Sequence, residues 1–260
     1  MNTGQIIIAP ARRADIPILA KMIAESFDSD RHTQMKQLGK TPYDLEKVFL
    51  LDLPRYIDSE KSVLIKAVDE GGEILGFCAW GFRGLERAEI PFLKKKREVN
   101  VSNPLGYQKN EIEDTGEKGG ADETKEESKF ETQRAPEDDP IKRLEEMTDQ
   151  NMKKWMKKLM PDGTRCIFVI SLAVSPKHQR QGVSSALLKW GTDVADERRI
   201  FIWVHSSGAA VSAYSKAGFK PIGTLDVDLD EYAPRSPPEE VGGEKWGHYI
   251  FTYIKYSSEK

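Results

Sequence analysis

The chain has 260 residues, with 39 Lys and Arg against 42 Asp and Glu, for a formal charge of -3. That balance speaks against the basic surface that nucleic-acid binding requires. No apolar run approaches the ~20 residues that a membrane-spanning helix needs. Neither nucleic acid nor membrane is therefore an expected partner. The two cysteines, Cys78 and Cys166, lie in apolar strand-like runs and read as reduced core thiols rather than a disulfide framework. The first residues lack a basic stretch followed by an apolar one, so no secretory signal is read, and the expected location is the cytoplasm or nucleus.

In chain order, residues 5–11 read as a first strand. Residues 14–27 read as a helix with Ile16, Leu19, Ala20, Ile23 and Phe27 on one face. Residues 28–60 are mixed, with helical pieces near 30–38 and 42–50. Residues 62–68 and 73–82 are two strands flanking Asp69, Glu70, Gly71 and Gly72, an antiparallel hairpin with a glycine-rich turn. An insertion follows, from about 84 to 163. It opens with the basic run Lys94, Lys95, Lys96 and Arg97, read as solvated rather than as an import signal. Its middle, 108–139, is acidic on balance, with Phe130 its only aromatic residue. Such a stretch buries too little apolar area to offset chain entropy, so disorder is expected, as a solvated loop more than a regulatory tail. Pro140 then opens a helix over 141–160, whose apolar side (Leu144, Met147, Met152, Trp155, Met156 and Leu159) either caps a cleft or pads the sheet.

The most informative stretch is 166–194. Residues 166–174 are β-branched and apolar, a buried strand stopped by Ser175 and Pro176. A polar loop with one glycine, Gly182, leads into helical periodicity at Val183, Ala186, Leu187, Trp190 and Val194. A strand thus hands over to a helix N-terminus, whose unpaired N–H groups form an anion site. Arg180 adds charge there, and Gly182 lets a ligand approach the backbone.

Gln179-x-x-Gly182-x-Ser184 resembles the Q/R-x-x-G-x-G/A pyrophosphate loop of the GCN5-related N-acetyltransferases (GNAT superfamily), with Ser184 where Gly or Ala is usual. Downstream, the strand-like run 200–204 leads to Tyr214-x-Lys216-x-Gly218-Phe219. This tail is similar to the family's Y-x-K-x-G-F signature, with Gly218 suited to a left-handed helix end. The wording of the stretch also resembles fungal members of the superfamily. The resemblance implies an α/β fold of the α+β mixed-sheet kind, the GNAT acyl-CoA N-acyltransferase fold: one domain over 1–260, a mostly antiparallel sheet flanked by helices, with the partly disordered insertion inside it.

Its implications for chemistry are specific. Acetyl-CoA is the implied co-substrate, with an amine acceptor, no metal, and a monomer or homodimer. The loop residues Gln179, Arg180, Gln181, Gly182, Val183, Ser184 and Ser185 would hold pyrophosphate. The backbone of Leu172, Ala173 and Val174 would bind the pantetheine arm beside a bulge and polarise the thioester oxygen. Tyr214 matches the family's general acid. Many relatives carry a Glu or His base on the strand before the loop, where Phe168 and Ile170 stand here and cannot take a proton. His205, at the end of the next strand, and Asp28 or Asp30, after the first helix, are the candidates instead. Three readings stay open: transfer to a small primary amine, transfer to a protein lysine or N-terminus, or an idle acyl-CoA-binding module.

Overall fold

The computed structural model describes residues 5–93 and 139–258. The expected disorder of 108–138 and the basic run 94–97 lie outside the described residues. In chain order the elements are β1 (Ile7–Pro10), α1 (Ile16–Ser26), α2 (Arg31–Lys36), α3 (Leu45–Asp58), β2 (Ser62–Val68), β3 (Ile74–Arg83), α4 (Pro140–Leu159), β4 (Cys166–Val174), α5 (Val183–Arg198), β5 (Phe201–Ser207), α6 (Val211–Lys216), β6 (Lys220–Asp228) and β7 (His248–Tyr256). The strands form one seven-stranded sheet in the order β1-β2-β3-β4-β5-β7-β6. Every pairing is antiparallel except β4 with β5. This mixed, mostly antiparallel sheet flanked by helices is the architecture that the resemblance led us to expect.

Two apolar layers cover the sheet, as alternation along its strands requires. One is the α5 side, where Val183, Leu187, Leu188, Val194 and Ala195 pack with Ile65, Cys78, Trp80, Ile167 and Tyr214. The other holds α1 and α3, with Leu19, Ile23 and Leu53 against Leu64, Phe77 and Ala79.

The second half of the expected 28–60 region differs from its reading. The helix begins at Leu45, capped by Asp44, whose carboxylate accepts the Lys47 N–H at 2.9 Å, and it runs through Pro54 to Asp58. An internal proline removes a backbone hydrogen bond and normally ends a helix. Here the apolar face of Phe49, Leu53, Tyr56 and Ile57 packs across that position and carries the helix onward.

The first residues of the insertion also belong to the core. Leu85 and Ile90 are buried with the α5 layer. Helix α4 pads the sheet: Ile141 and Leu144 join Met35, Leu229 and Trp246, and Trp155 stacks on Tyr253 at 4.4 Å. Asp139, which the expected disordered stretch included, caps α4 by accepting the Ile141 N–H at 3.0 Å. No described helix is long and apolar enough to cross a membrane. No group of three or more His, Cys, Asp or Glu among the described residues is placed to hold a metal.

Candidate active site

The site begins where β4 leaves β5. Their parallel pairing is confined to Cys166 with Phe201, Ile167 with Ile202 and Phe168 with Trp203. Beyond that point β4 pairs only with β3, and even there the register slips: Trp80 faces Val169 while Ala79 faces Ser171. Ile170 is left without an opposite residue, a β-bulge. The strand edge from Val169 to Val174 therefore carries backbone groups with no partner on β5, which a ligand in extended conformation can use.

A cavity of about 250 Å³ opens in this splay. One wall is Val169, Ile170, Ser171 and Leu172 of β4, and another is Val204, His205, Ser206 and Ser207 of β5. Tyr214 closes it from α6. The remaining walls come from far along the chain and are largely aromatic: Phe27, His32, Tyr43 and Phe49 from one end, Tyr249 and Phe251 from the other.

Of the four residues read as catalytic candidates, Tyr214, His205 and Asp30 line this one cavity. Tyr214 is 3% exposed, with its ring edge-on to Phe219 at 5.4 Å. Burial and the neighbouring Cys78 thiol push its phenol well above the usual range, so it stays protonated at neutral pH. His205 lies inside β5, which continues to Ser207, and does not end the strand as expected. Its ring is stacked between Phe251 (4.7 Å) and Tyr253 (4.6 Å). Its Nε2 is buried with no hydrogen-bond partner among the described residues. Burial, and then the nearby His32, bring its pKa down to about 4, so the ring is neutral at pH 7.

Asp30 is differently engaged. It caps α2: its Oδ2 accepts the Thr33 N–H and the Thr33 hydroxyl, each at 2.9 Å. Its Oδ1 accepts the Tyr249 phenol at 2.7 Å. With both oxygens in use, Asp30 positions the wall of the cavity. Asp28 lies outside this cavity, in an outer cleft of about 630 Å³ that shares Thr33, Tyr43 and Leu45 with it.

Phe168, expected to face the site, does not line it. It packs on Trp203 at 5.9 Å and covers Gly81, where a Cβ would stand 2.2 Å from its ring. Ile170 does face the cavity.

Sequence reading missed His32, Tyr43, Tyr249, Phe251 and Ser171. His32 is held neutral by burial and by the Lys36 charge, with its pKa down to about 4. Lys36 is itself pinned by Glu145 of α4 at 2.7 Å and lies 3.7 Å from the centre of the Tyr43 ring.

At the far end of β4 the loop has the form its residues suggested. Pro176–His178 makes a single 3₁₀ turn, and Gln181 Nε2 donates to the Lys177 carbonyl at 3.0 Å. Arg180 (φ 61°) and Gly182 (φ 85°) are left-handed. Gly182 caps α5 without a side-chain cap hydrogen bond, and among the described residues no side chain is seen to accept from the first N–H groups of that helix. A Cβ at Gly182 would meet nothing within 4 Å, so the space in front of the helix is open. Open space, free N–H groups, no acid in the first turn and Arg180 beside it fit a pyrophosphate. Leu172, Ala173 and Val174 lie between this loop and the cavity on an edge that β5 leaves unpaired, with the Val174 carbonyl accepting the Ser26 hydroxyl at 2.9 Å, so a ligand running along that edge from the loop reaches the cavity.

Comparison with known proteins agrees with this geometry. Residues 150–219 match the profile of the acetyltransferase (GNAT) family, a span that contains β4, the loop, α5, β5 and Tyr214. No curated protein matches the chain in sequence. Among solved structures, an insect protein named arylalkylamine N-acetyltransferase 7, from the yellow fever mosquito, is 13% identical with a TM-score of 0.55, over 98% of this chain and 88% of that one. A Corynebacterium glutamicum structure titled histone acetyltransferase HPA2 and related acetyltransferase is 16% identical with a TM-score of 0.47, over 95% and 94%. Arabidopsis thaliana NAA60, in complex with a bisubstrate analogue, is 11% identical with a TM-score of 0.47, over 98% and 99%. At 13% identity the likeness to the mosquito structure is one of fold. Together with that fold, the profile match over residues 150–219 places a GNAT acetyltransferase domain in the chain and supports an N-acetyltransferase.

Proposed function

We propose that the chain transfers the acetyl group of acetyl-CoA to a small primary amine with an apolar or aromatic body. The observation that carries this is the cavity. It is about 250 Å³ in volume, walled by Phe27, Tyr43, Phe49, Tyr249 and Phe251, and lined by His205 and Tyr214. Such walls favour an apolar body through burial, while polar groups of the lining, His205 and Tyr214 among them, orient the reacting end.

Acetyl-CoA supplies an activated acyl carbon with a thiolate leaving group. Gln179 to Ser185 hold its pyrophosphate, and the free edge of Leu172, Ala173 and Val174 holds the pantetheine arm. With its hydrogen on Nδ1, neutral His205 presents Nε2 as an acceptor. It takes the proton that the amine gives up as its nitrogen bonds to the acyl carbon. Tyr214 donates its phenolic proton to the sulfur as the carbon–sulfur bond breaks. The products are an amide and a free thiol. The proton on His205 returns through solvent to Tyr214, so both groups end as they began.

A second reading, transfer to a protein lysine or N-terminus, is favoured by the outer cleft. Glu25, Asp28, Asp44 and Glu46 line it, and it adjoins the inner cavity. That acidic mouth suits a basic segment. The experiment is thiol release from acetyl-CoA with a panel of aromatic amines, aliphatic amines and basic peptides. Release with aromatic amines supports the first reading, and release with peptides alone replaces it with the second. Acetyl-CoA binding without release from any acceptor would leave an idle module.

A further inference from the structure

We propose that Ser171 donates a side-chain hydrogen bond to the thioester carbonyl oxygen as negative charge develops on it. The inference rests on the acetyl-transfer reading above and adds a catalytic group to it.

Three observations converge on this hydroxyl. Ser171 is only 9% exposed, and its Oγ has no hydrogen-bond partner among the described residues. A buried hydroxyl without a partner destabilises a fold, so its presence calls for an explanation. Ser171 also lines the cavity, next to the bulge at Ile170. Thirdly, its place on β4 is fixed relative to the anion loop. A ligand anchored at Gln179 to Ser185 and running back along Val174, Ala173 and Leu172 brings its reactive end to Ser171, the next residue on that edge.

Of the buried polar side-chain atoms left without a partner among the described residues, Ser171 Oγ and His205 Nε2 are the two that line the cavity. They are complementary, one an O–H donor and the other a ring acceptor. Attack of an amine on a carbonyl creates two adjacent needs: an oxygen gaining negative charge and a nitrogen losing a proton. One orphan meets each. In this step the carbon–nitrogen bond forms, the carbonyl π pair moves onto oxygen, and Ser171 keeps its proton while hydrogen-bonding that oxygen. The pair returns as the carbon–sulfur bond breaks, with Tyr214 protonating the sulfur and His205 receiving the amine proton. The hydroxyl acts beside the backbone groups of β4 that β5 leaves unpaired, on a wall of the cavity where its own Oγ is shielded from solvent.

The test compares the wild type with Ser171→Ala and Ser171→Thr. The measurements are thiol release from acetyl-CoA alone, kcat and KM with 2-phenylethylamine as the probe acceptor, and thermal unfolding without ligand. Ser171→Ala is expected to lower kcat and the amine-free thiol release by about 10²-fold, the usual effect of losing one such donor. KM for acetyl-CoA should stay within about twofold. Tm should hold or rise, since the substitution removes an unsatisfied polar group. Ser171→Thr, which keeps the hydroxyl, should recover most of the lost rate. A Ser171→Ala protein with wild-type kcat overturns the proposal. So does one whose Tm falls while turnover per folded molecule is normal, because that is a structural hydroxyl. A wild type inert in both thiol-release assays overturns the transfer to an aromatic amine on which the proposal rests, and shows before any variant is compared.

Discussion

Tyr249 donates its phenolic hydrogen to Asp30 at 2.7 Å across 219 residues of sequence, joining the last strand of the sheet to the cap of α2. The bond fixes two walls of the cavity to each other. It also occupies the oxygen of Asp30 that the α2 cap leaves free.

This relationship gives the first prediction. Tyr249→Phe should destabilise the protein by about 1.5–3 kcal/mol, the range for a bond to a charged acceptor. It should raise KM for the amine more than KM for acetyl-CoA, because the wall belongs to the acceptor cavity. Asp30→Ala should cost about 1 kcal/mol more than Asp30→Asn, since asparagine caps a helix nearly as well as aspartate. Equal stability of the two Asp30 variants in denaturant titration would contradict the capping role.

Gly182 provides the second. Any other residue there must adopt φ near 85°, a left-handed strain of about 1–2 kcal/mol. A Cβ there would meet nothing within 4 Å. Gly182→Ala and Gly182→Trp should therefore lose similar stability, while Trp alone fills the space before α5 and abolishes acetyl-CoA binding. Calorimetry showing unchanged affinity for Gly182→Trp would remove the loop from the site.

The third concerns Tyr214. Tyr214→Phe keeps the ring contact with Phe219 and removes the proton. It should reduce kcat by about 10²-fold with acetyl-CoA affinity little changed. The loss should be smaller at low pH, where solvent supplies the proton. The raised phenol pKa also sets a sign for wild-type stability. The folded state holds this proton to higher pH than the unfolded chain does. Its contribution is therefore complete below the ordinary tyrosine pKa of about 10 and lost as pH rises above it. Tyr214→Phe should abolish that part of the alkaline loss.

His32 and His205 govern the acid side. Both folded-state pKa values are brought down to about 4 from 6.5. The unfolded chain thus binds more protons than the folded one between those values. Stability is full above about pH 6.5 and falls as pH drops toward 4, by on the order of 3 kcal/mol for each ring. Around His32 stand Lys36, Asp30 and Glu145; around His205 stands His32. Denaturant titrations at pH 7.5 and pH 5 should show the drop, and His205→Gln should make it shallower. A flat profile over this window would mean that the two rings are solvated.

What was legible in the sequence was local. The strand, the Gly182 loop and the start of α5 follow one another within about twenty residues, and proline, glycine and a change of apolar period mark each boundary. The Gly218 helix end is equally local, at φ 85°. The acceptor side was not legible for the opposite reason. α2 has six residues, too few for a periodic signal to single out His32. The rings against His32, those of Tyr249 and Phe251, come from the last strand. The bulge at Ile170 leaves no mark in a run of β-branched and apolar residues, so strict alternation brought Phe168 into the site and passed over Ser171. α3 runs past the expected end near residue 50, through Pro54 to Asp58, because the packing of Leu53 and Ile57 that carries it on is tertiary.

The most direct measurement is amine-dependent release of free thiol from acetyl-CoA, run with 2-phenylethylamine on the wild type and on Gly182→Trp. Release that saturates with amine in the wild type and is absent in the variant is the predicted result. Acetyl-CoA that binds the wild type tightly while no aromatic amine, aliphatic amine or basic peptide liberates thiol would contradict the transferase account.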